Sequence, residues 1–288
     1  MTSLKPSRVR LFRLGIHALG VALCGFLLLA LTPQSADASR CLLLGQGPRI
    51  APPGRTQNIV PVAAPKKQSA LETLTTLTFI GHSTFLIESP KGVTIATDYN
   101  DYVKPAIIPN IITMNRAHST HYTDNPPPSV IHVLRGWNPA GGPAEHQVVE
   151  KDVFVRNVPT NTRDWSWNTI PYGNSIFIFE TGNLCIGHLG HLHHPLTPEH
   201  LNQIGKLDVV LVPVDGGYTM DVAGMVEVVR TLKARIVIPM HFFNKFTLDR
   251  FLDRVKGDFP VEISETSMIR VSSDSLPAEP KILVLPGN

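Results

Sequence analysis

Ile186-Gly-His188-Leu-Gly-His191-Leu-His193-His194 places four histidines directly after a short apolar run of β type. The pattern recurs in Asn115-Arg-Ala-His118-Ser-Thr-His121 and in Pro239-Met-His241, so that three stretches hold seven of the twelve histidines. Imidazole is the commonest transition-metal ligand in proteins, and ligands carried at the ends of several strands can converge in space. The sequence therefore predicts a metal site at one edge of a sheet.

Short runs of β-branched and apolar residues predict strands through most of the chain after Leu71. The predicted strands are Thr75–Ile80, Thr84–Glu88, Val93–Thr97, Ile111–Met114, Val130–Leu134, Val149–Val158, Ser175–Phe179, Leu184–Ile186, Val209–Val214, Ile236–Pro239 and Met268–Val271. Helical patterns are confined to the C-terminal half: one begins at Thr197-Pro198, one covers Val222–Lys233 behind the capping residue Asp221, and one covers Thr247–Val255. This order predicts an α/β fold in which helices cover two sheets.

The first 38 residues are typical of a secretory signal peptide. Four basic residues precede an apolar stretch from Gly15 to Leu31, and Ala36-Asp-Ala38 forms a small-x-small cleavage pattern. We therefore expect a periplasmic or secreted protein, with an uncleaved N-terminal membrane anchor as the alternative. Residues 39–70, rich in Pro and Gly, predict a lead-in or tether, and residues 71–288 predict the folded domain.

Charge and cysteine content restrict the partners and the covalent structure. The net charge of +3 belongs to the N-terminal segment, because removing its four basic residues and one acidic residue leaves equal numbers of both signs. A neutral mature chain argues against nucleic acid as a partner and favours a small-molecule substrate, whereas no stretch indicates an oligomeric state. Cys41 and Cys185 could pair in an oxidising compartment, but Cys185 lies in an apolar run, which favours a buried free thiol.

Repeated spacing identifies the candidate metal ligands. His118 and His121 are three residues apart, which lets both rings point toward one ion, and His188 and His191 repeat this spacing. His241 adds a third source of ligands. These five histidines are the predicted ligands. His82, in Gly81-His-Ser, is expected to have a structural hydrogen-bonding role, and His193 and His194 could extend the site or orient its ligands.

Ordered motifs from Leu77 to Val271 resemble the metallo-β-lactamase superfamily, and within it the lactonase-like and phospholipase D-like hydrolases. They are Phe79-Ile-Gly-His-Ser-Thr-Phe-Leu-Ile-Glu88, Ala96-Thr-Asp98, Ile186-Gly-His-Leu-Gly-His191, Val212-Pro-Val-Asp-Gly-Gly-Tyr-Thr-Met-Asp221 and Ile238-Pro-Met-His241. The resemblance implies an αββα sandwich with a metal site at one edge of the two sheets.

The family signature Thr/Ser-His-x-His-x-Asp-His lies over residues 115–121, with three departures in the wider site. Arg116 stands at the first His, Thr120 at the Asp, and His191 at the position usually filled by a metal-bridging Asp. Imidazole in place of carboxylate removes the negative charge that would balance two dications. The resemblance, with these departures, implies one Zn²⁺ ion rather than two, with iron or manganese as alternatives.

The departures also affect catalysis. A threonine hydroxyl at Thr120 cannot act as a base near neutral pH, but a metal ion alone can lower the pKa of its bound water to about 7, and Asp98, Asp124 or His193 could assist. Arg116 either pairs with a carboxylate such as Asp98 or holds an anionic group of the substrate.

The expected function is that of an exported metal-dependent hydrolase in which metal-activated water attacks an ester, lactone, amide or phosphodiester. The alternative is a non-catalytic descendant of the same fold that binds metal or ligand. Trp165 and Trp167, with Trp137 upstream, either line an apolar substrate pocket or pack in the core.

Overall fold

The structure is a computed structural model, and it describes residues 39–42 and 74–287. The predicted signal peptide and most of the predicted tether lie outside the described residues. The strands are β1 (Thr75–Gly81), β2 (Thr84–Glu88), β3 (Thr94–Ala96), β4 (Ile111–Met114), β5 (His132–Arg135), β6 (Gln147–Glu150), β7 (Val153–Arg163), β8 (Thr169–Thr181), β9 (Leu184–His188), β10 (Val209–Pro213), β11 (Ile236–Met240), β12 (Val261–Ile263), β13 (Met268–Val271) and β14 (Lys281–Val284). The helices are α1 (Pro198–Ile204), α2 (Val222–Leu232) and α3 (Lys245–Val255), with a short 3-10 helix at Ser273–Ser275.

Two sheets form the centre of the fold, which confirms the predicted α/β class. One has six strands in the order β13-β1-β2-β3-β4-β5, and the other has eight in the order β12-β14-β11-β10-β9-β8-β7-β6. The helices begin where the sequence provides capping side chains: Thr197, Asp221 and Asn244 each accept a hydrogen bond from a backbone N–H of the first turn.

Successive side chains of the central strands point to opposite faces of the sheet, so the core has two layers. Phe177 and Phe179 of β8 point into the space between the sheets, whereas Ile176 and Ile178 belong to the layer under the helices. The layer between helices and sheet also contains Met225 of α2 and other buried residues of α2 and α3. The outer face of the six-stranded sheet carries a third, smaller cluster around Ile112 and Met114, to which loop residues contribute.

Strand direction brings the predicted site residues to one edge. Strands β9, β10 and β11 run parallel to one another, as do β3 and β4, so their carboxyl ends lie together. The face-to-face packing of the sheets then places the ends of β1, β3 and β4 opposite the ends of β9, β10 and β11. Loops from both sheets can therefore meet at a single site.

The strand predictions differ from the structure in the middle and at the end of the chain. The run Val149–Val158 is divided between β6 and β7 by a turn in which Lys151 adopts a φ of 51°. Asp152 stabilises this turn by accepting hydrogen bonds from the Ser89 hydroxyl and the Lys91 backbone. The short strands β12 and β14 were not predicted. In the described part of the chain, no helix is long and apolar enough to span a membrane.

Cys41 and Cys185 form a disulfide across 144 residues of sequence, contrary to the expectation of a free thiol. Apolar surroundings favour a buried thiol, but they do not prevent pairing when a second cysteine reaches the same core. The backbone of residues 40 and 41 is fixed by two further hydrogen bonds: Arg40 N–H donates to Glu180, and Cys41 C=O accepts from Lys206. The segment predicted as a tether is thus attached to the domain where the structure describes it.

Non-reducing peptide mapping of the purified protein should recover the Cys41 and Cys185 peptides as one cross-linked species. The single variant Cys41→Ser should lower the free energy of unfolding by about 2–5 kcal/mol, because a long loop is no longer closed in the unfolded state. Chemical denaturation measures this difference, with the reduced wild-type protein as the control. Recovery of both peptides with free thiols would contradict the pairing.

Candidate metal centre

Four histidines from three separate loops meet at the shared edge of the sheets. One ring nitrogen from each of His82, His118, His121 and His241 lies within 4.8 Å of the others. The ring of His191 is 5.0–5.2 Å, centroid to centroid, from those of His118, His121 and His241. We call these five residues the histidine centre. It contains four of the five predicted ligands, and adds His82.

Each ring reaches the centre because its strand ends just before it. His82 lies in the turn between β1 and β2 with a φ of 52°, and His241 follows β11 with a φ of 55°. The His241 N–H donates to the His82 carbonyl at 2.6 Å, which joins the two sheets at this point. His118 and His121 follow β4 in a loop closed by a hydrogen bond from Asn115 N–H to the His121 carbonyl.

A buried carboxylate positions His121. Oδ2 of Asp98 lies 2.6 Å from Nδ1 of His121, and both side chains have no solvent exposure. The Asn115 amide donates to the other oxygen, Oδ1 of Asp98, at 2.9 Å. Nε2 of His121 consequently faces the centre, where it lies 3.1 Å from Nε2 of His241.

Two other rings of the centre also have a polar neighbour at Nδ1. The Thr120 hydroxyl lies 2.8 Å from Nδ1 of His118. Oδ1 of Asp215 lies 3.0 Å from Nδ1 of His241, close enough for strong electrostatic attraction but without the alignment of a hydrogen bond. Burial opposes ionisation of Asp215, but His241, the Thr219 hydroxyl and backbone N–H groups hold the pKa of this carboxyl well below its usual range.

The protein surroundings keep four of these rings, His82, His118, His121 and His191, neutral. Burial lowers the pKa of His82 to about 3 and that of His118 to about 4, and repulsion from neighbouring protonated rings acts in the same direction. For the same reasons the pKa values of His121 and His191 lie well below 6.5. Burial also raises the pKa of Asp98 to about 8, against the hydrogen bonds from Asn115 and Ser83. Neutral imidazole is the form that binds a metal ion.

The residues present fit a metal ion. Ligand nitrogens about 2.0–2.1 Å from a tetrahedral zinc lie about 3.3 Å apart, close to the 3.1 Å between Nε2 of His121 and Nε2 of His241. Within the described residues, Nε2 of His82 and both ring nitrogens of His191 are buried without a hydrogen-bond partner. Unpartnered buried nitrogens at one point are costly unless a ligand satisfies them.

His188, the fifth predicted ligand, is outside this group. Its Nε2 donates to the Ser83 carbonyl at 2.8 Å, and its Nδ1 accepts from Gly190 N–H at 3.1 Å. Both ring nitrogens therefore make backbone contacts that link β9 to the turn between β1 and β2. Its assignment as a ligand stays a prediction that this geometry does not favour.

The predicted catalytic residues are distributed differently. Asp98 contacts His121 and Thr120 contacts His118, as described. His193 is half-buried with Nδ1 3.1 Å from the Asn161 carbonyl, and Asp124 is exposed. The alternative in which Arg116 pairs with Asp98 is not observed, because Asp98 is buried against Asn115 and His121 whereas Arg116 is exposed.

The three tryptophans separate into two groups. Trp137 packs against the ring of Tyr122 in the small cluster outside the six-stranded sheet. Trp165 and Trp167 are 75% and 66% exposed, so core packing does not explain them. Trp165 lies 6.4 Å from His118, measured between ring centroids. Two cavities lie elsewhere, one lined by Trp137 and His146 and the other by His146 and His200.

Comparison with known proteins assigns the chain to a family. Residues 76–241, more than half of the chain, match the family described as the beta-lactamase superfamily domain. The chain belongs to the beta-lactamase superfamily. The match ends at His241, so it includes all five histidines of the centre.

Several curated proteins are similar in sequence. A metal-dependent hydrolase of the UPF0173 group from Nanoarchaeum equitans is 26% identical over 57% of this chain and 82% of its own length. Another from Thermoplasma acidophilum is 29% identical over 59% of this chain and 84% of its own length. Solved structures agree. A Thermotoga maritima protein, provisionally described as a Zn-dependent hydrolase of the metallo-beta-lactamase superfamily, is 26% identical with a TM-score of 0.55, covering 73% of this chain and 98% of that one.

Sequence reasoning missed three contributors to the site. His82 was given a structural role although it follows an apolar strand, as the predicted ligands do. Asp215 lies directly after the apolar run of β10 in Val212-Pro-Val-Asp, so the rule applied to histidines would have found it. Asn115 was missed because its hydrogen bonds join the two sheets, and no pattern of neighbouring residues in the sequence indicates a contact of this kind.

Lowering the pH should destabilise the metal-free protein. Burial lowers the pKa of His188 to about 4, whereas an unfolded histidine titrates near 6.5. The unfolded chain therefore binds more protons between these values, and stability falls as the pH falls from about 6.5 toward 4. His188 contributes up to about 1.4 kcal/mol per pH unit to this slope, so the slope in His188→Gln should be smaller than in the wild-type protein by that contribution, while the other buried histidines keep theirs. Denaturation in the presence of a chelator measures it; a pH-independent unfolding free energy would contradict the buried neutral ring.

Proposed function

We propose that the chain is an exported, metal-dependent hydrolase in which His118, His121 and His241 hold one Zn²⁺ ion. Its curated relatives at 26–29% identity are named metal-dependent hydrolases, and the Thermotoga maritima structure carries the provisional zinc description. Zinc is compatible with an imidazole donor set.

The observation that carries the proposal is the polar partner at Nδ1 of three rings. Asp98 lies at Nδ1 of His121, Thr120 at Nδ1 of His118 and Asp215 at Nδ1 of His241. Metal-binding histidines almost always have such a partner, because it fixes the tautomer and directs the other nitrogen to the ion. The geometry distinguishes these three rings from His82 and His191.

His82 and His191 have a different role in this proposal. Their nitrogens without partners face the same space but have no group behind them that fixes the tautomer. They are therefore suited to hydrogen-bond water or the substrate beside the ion. When bound, the ion would supply Lewis-acid polarisation of the substrate's oxygen and a lower pKa for the attacking water. Three protein ligands leave a coordination position open, which catalysis requires.

The scissile bond belongs to an ester, lactone, amide or phosphodiester. Asp98 is already engaged with His121 and Asn115, so it orients the ligand rather than deprotonating water. Arg116 is exposed at the start of the loop that carries His118 and His121. Its guanidinium is therefore available to hold an anionic group of the substrate.

Export is supported by the pairing of Cys41 with Cys185. Disulfides persist in oxidising compartments and are rare in the cytosol of mesophiles. The basic start, the apolar stretch and Ala36-Asp-Ala38 provide the matching signal.

Expression of the full chain in a bacterium should therefore yield a mature protein that begins at Ser39, because cleavage follows Ala38. N-terminal sequencing and intact mass of the protein from the periplasmic fraction test this. The variant Ala38→Arg, which removes the small residue at the cleavage point, should retain the N-terminal segment. An unprocessed wild-type chain in the membrane fraction would instead support the anchor alternative.

Metal content should separate ligands from neighbours. His121→Ala should lose the ion, and Asp98→Asn should bind it about 10–100-fold more weakly because the orienting carboxylate is gone. His82→Ala and His191→Ala should keep close to one zinc per chain and lose hydrolysis. The control is His132→Ala, because the His132 ring pairs with Glu150 away from the histidine centre. Elemental analysis and competition with a chelator measure binding.

The same variants distinguish the catalytic proposal from a binding protein. Loss of zinc on removal of either His82 or His191 would indicate a closed shell of four or more imidazoles, with no place for water. If that protein also hydrolysed no ester, lactone, amide or phosphodiester, the non-catalytic alternative would replace this one.

A further inference from the structure

Three exposed aromatic side chains stand around the opening of the histidine centre. Trp165 is 75% exposed, Phe243 53% and Tyr218 51%, and they come from three different loops. Soluble proteins carry isolated exposed aromatic residues without functional consequence, but adjacent ones form an apolar surface that is costly in water. We call these three residues the aromatic rim.

The rim and the histidines form a closed series of ring contacts. The ring centroid of Tyr218 is 5.9 Å from that of Trp165 and 5.6 Å from that of Phe243. At the two ends, Trp165 lies 6.4 Å from His118, and Phe243 lies 5.7 Å from His82. His82 and His118 are 5.6 Å apart, which completes the series. A molecule that contacts these histidines from solvent therefore lies against aromatic faces.

Arg163 fixes the two loops that carry Trp165 and Tyr218. Its guanidinium donates to the carbonyls of Tyr218 at 3.1 Å and Thr219 at 2.7 Å, and it stacks at 4.0 Å on the ring of Trp167. The loop beginning at Arg163 is thereby tied to residues 217–219. Two of the three rim residues, Trp165 and Tyr218, therefore lie on loops that hydrogen bonds hold together, which suits a binding surface for a defined group.

We propose that the aromatic rim binds an apolar acyl or aryl group of the substrate and so holds the scissile bond beside the histidine centre. This inference rests on the proposed hydrolase function, and names its substrate class. Aromatic side chains offer large, stiff apolar surfaces at low entropic cost, and they accept both aliphatic chains and rings. Short polar substrates would leave this surface exposed to water.

A homologous series of substrates tests the inference. With p-nitrophenyl acetate, butyrate, hexanoate and octanoate, kcat/KM of the zinc-loaded protein should rise about two- to fourfold for each added methylene that contacts the rim. Phe243→Ala and Tyr218→Ala should flatten this dependence, with a much larger loss of kcat/KM on the octanoate than on the acetate. The difference arises because the p-nitrophenyl group is the same in all four esters, whereas only the longer acyl chains reach the rim.

Phe246→Ala is the matched control. Phe246 is 69% exposed at the start of α3, just after the loop that carries Phe243. Its ring contacts Arg250, whose Cζ lies 5.9 Å from the ring centroid, rather than the rim. This variant should keep the full chain-length dependence. Equal flattening in Phe246→Ala, or a wild-type protein with no dependence on chain length, would overturn the assignment.

Binding measurements separate failure of the rim from failure of the proposed function. Hexanoate, octanoate and decanoate can be titrated calorimetrically into zinc-loaded and metal-free protein. Affinity that grows with chain length in both forms and is lost in Phe243→Ala supports the rim even if no ester is cleaved. Hydrolysis with equal rates along the ester series supports the proposed function and rejects the rim. No growth of affinity with chain length rejects it as well.

Discussion

The amide of Asn115 makes the contact on which the metal centre depends. Its Nδ2 donates to Asp98 at 2.9 Å, and its Oδ1 accepts from the backbone N–H of Ser175 at 2.7 Å. One buried side chain thus joins the loops of the six-stranded sheet to β8 of the other sheet. Two glycines make the room for it: a Cβ at Gly136 would lie 2.3 Å from Oδ1 of Asn115, and a Cβ at Gly190 would lie 2.4 Å from Nδ2. A larger residue at either position would displace the Asn115 amide.

The Asn115 amide positions the His121 ring through Asp98. Asn115 satisfies one oxygen of Asp98, and the other oxygen is left for Nδ1 of His121. Without the amide, a buried carboxyl would lose a partner, which costs about 1–3 kcal/mol or more and leaves the ring free to rotate. Asn174 plays the same part for His191, whose backbone N–H donates to its Oδ1 at 2.7 Å. The geometry of the centre is therefore determined by amides that carry no metal-binding chemistry themselves.

Sequence alone predicted the parts of this structure that depend on local pattern. The bounds of β2 and β4 and the capping of α2 by Asp221 agree with the structure, because alternation and capping are properties of neighbouring residues. The pairing of Cys41 with Cys185 was missed because it depends on two residues that are far apart in sequence. The turn at Lys151 was missed because it interrupts the apolar run by only two or three residues. Strand ends correctly indicated where histidines would gather. Which nitrogen each ring directs inward depends on contacts such as Asp98 to His121, which only the folded chain reveals.

Charge in the described part of the centre supports a single ion. The five rings of the histidine centre contribute no negative charge when neutral, and the carboxylates that touch them are Asp98 and Asp215. Even with both ionised, these two carboxylates balance only one dication, and a second dication would stand uncompensated in a site with little solvent. The departures from the family signature fit this view. Arg116, an exposed residue in place of the first histidine of the family signature, begins the loop that carries His118 and His121, and His82 contributes a neutral ring to the centre. Neutral imidazoles in place of carboxylates leave the centre with little negative charge to compensate more than one dication.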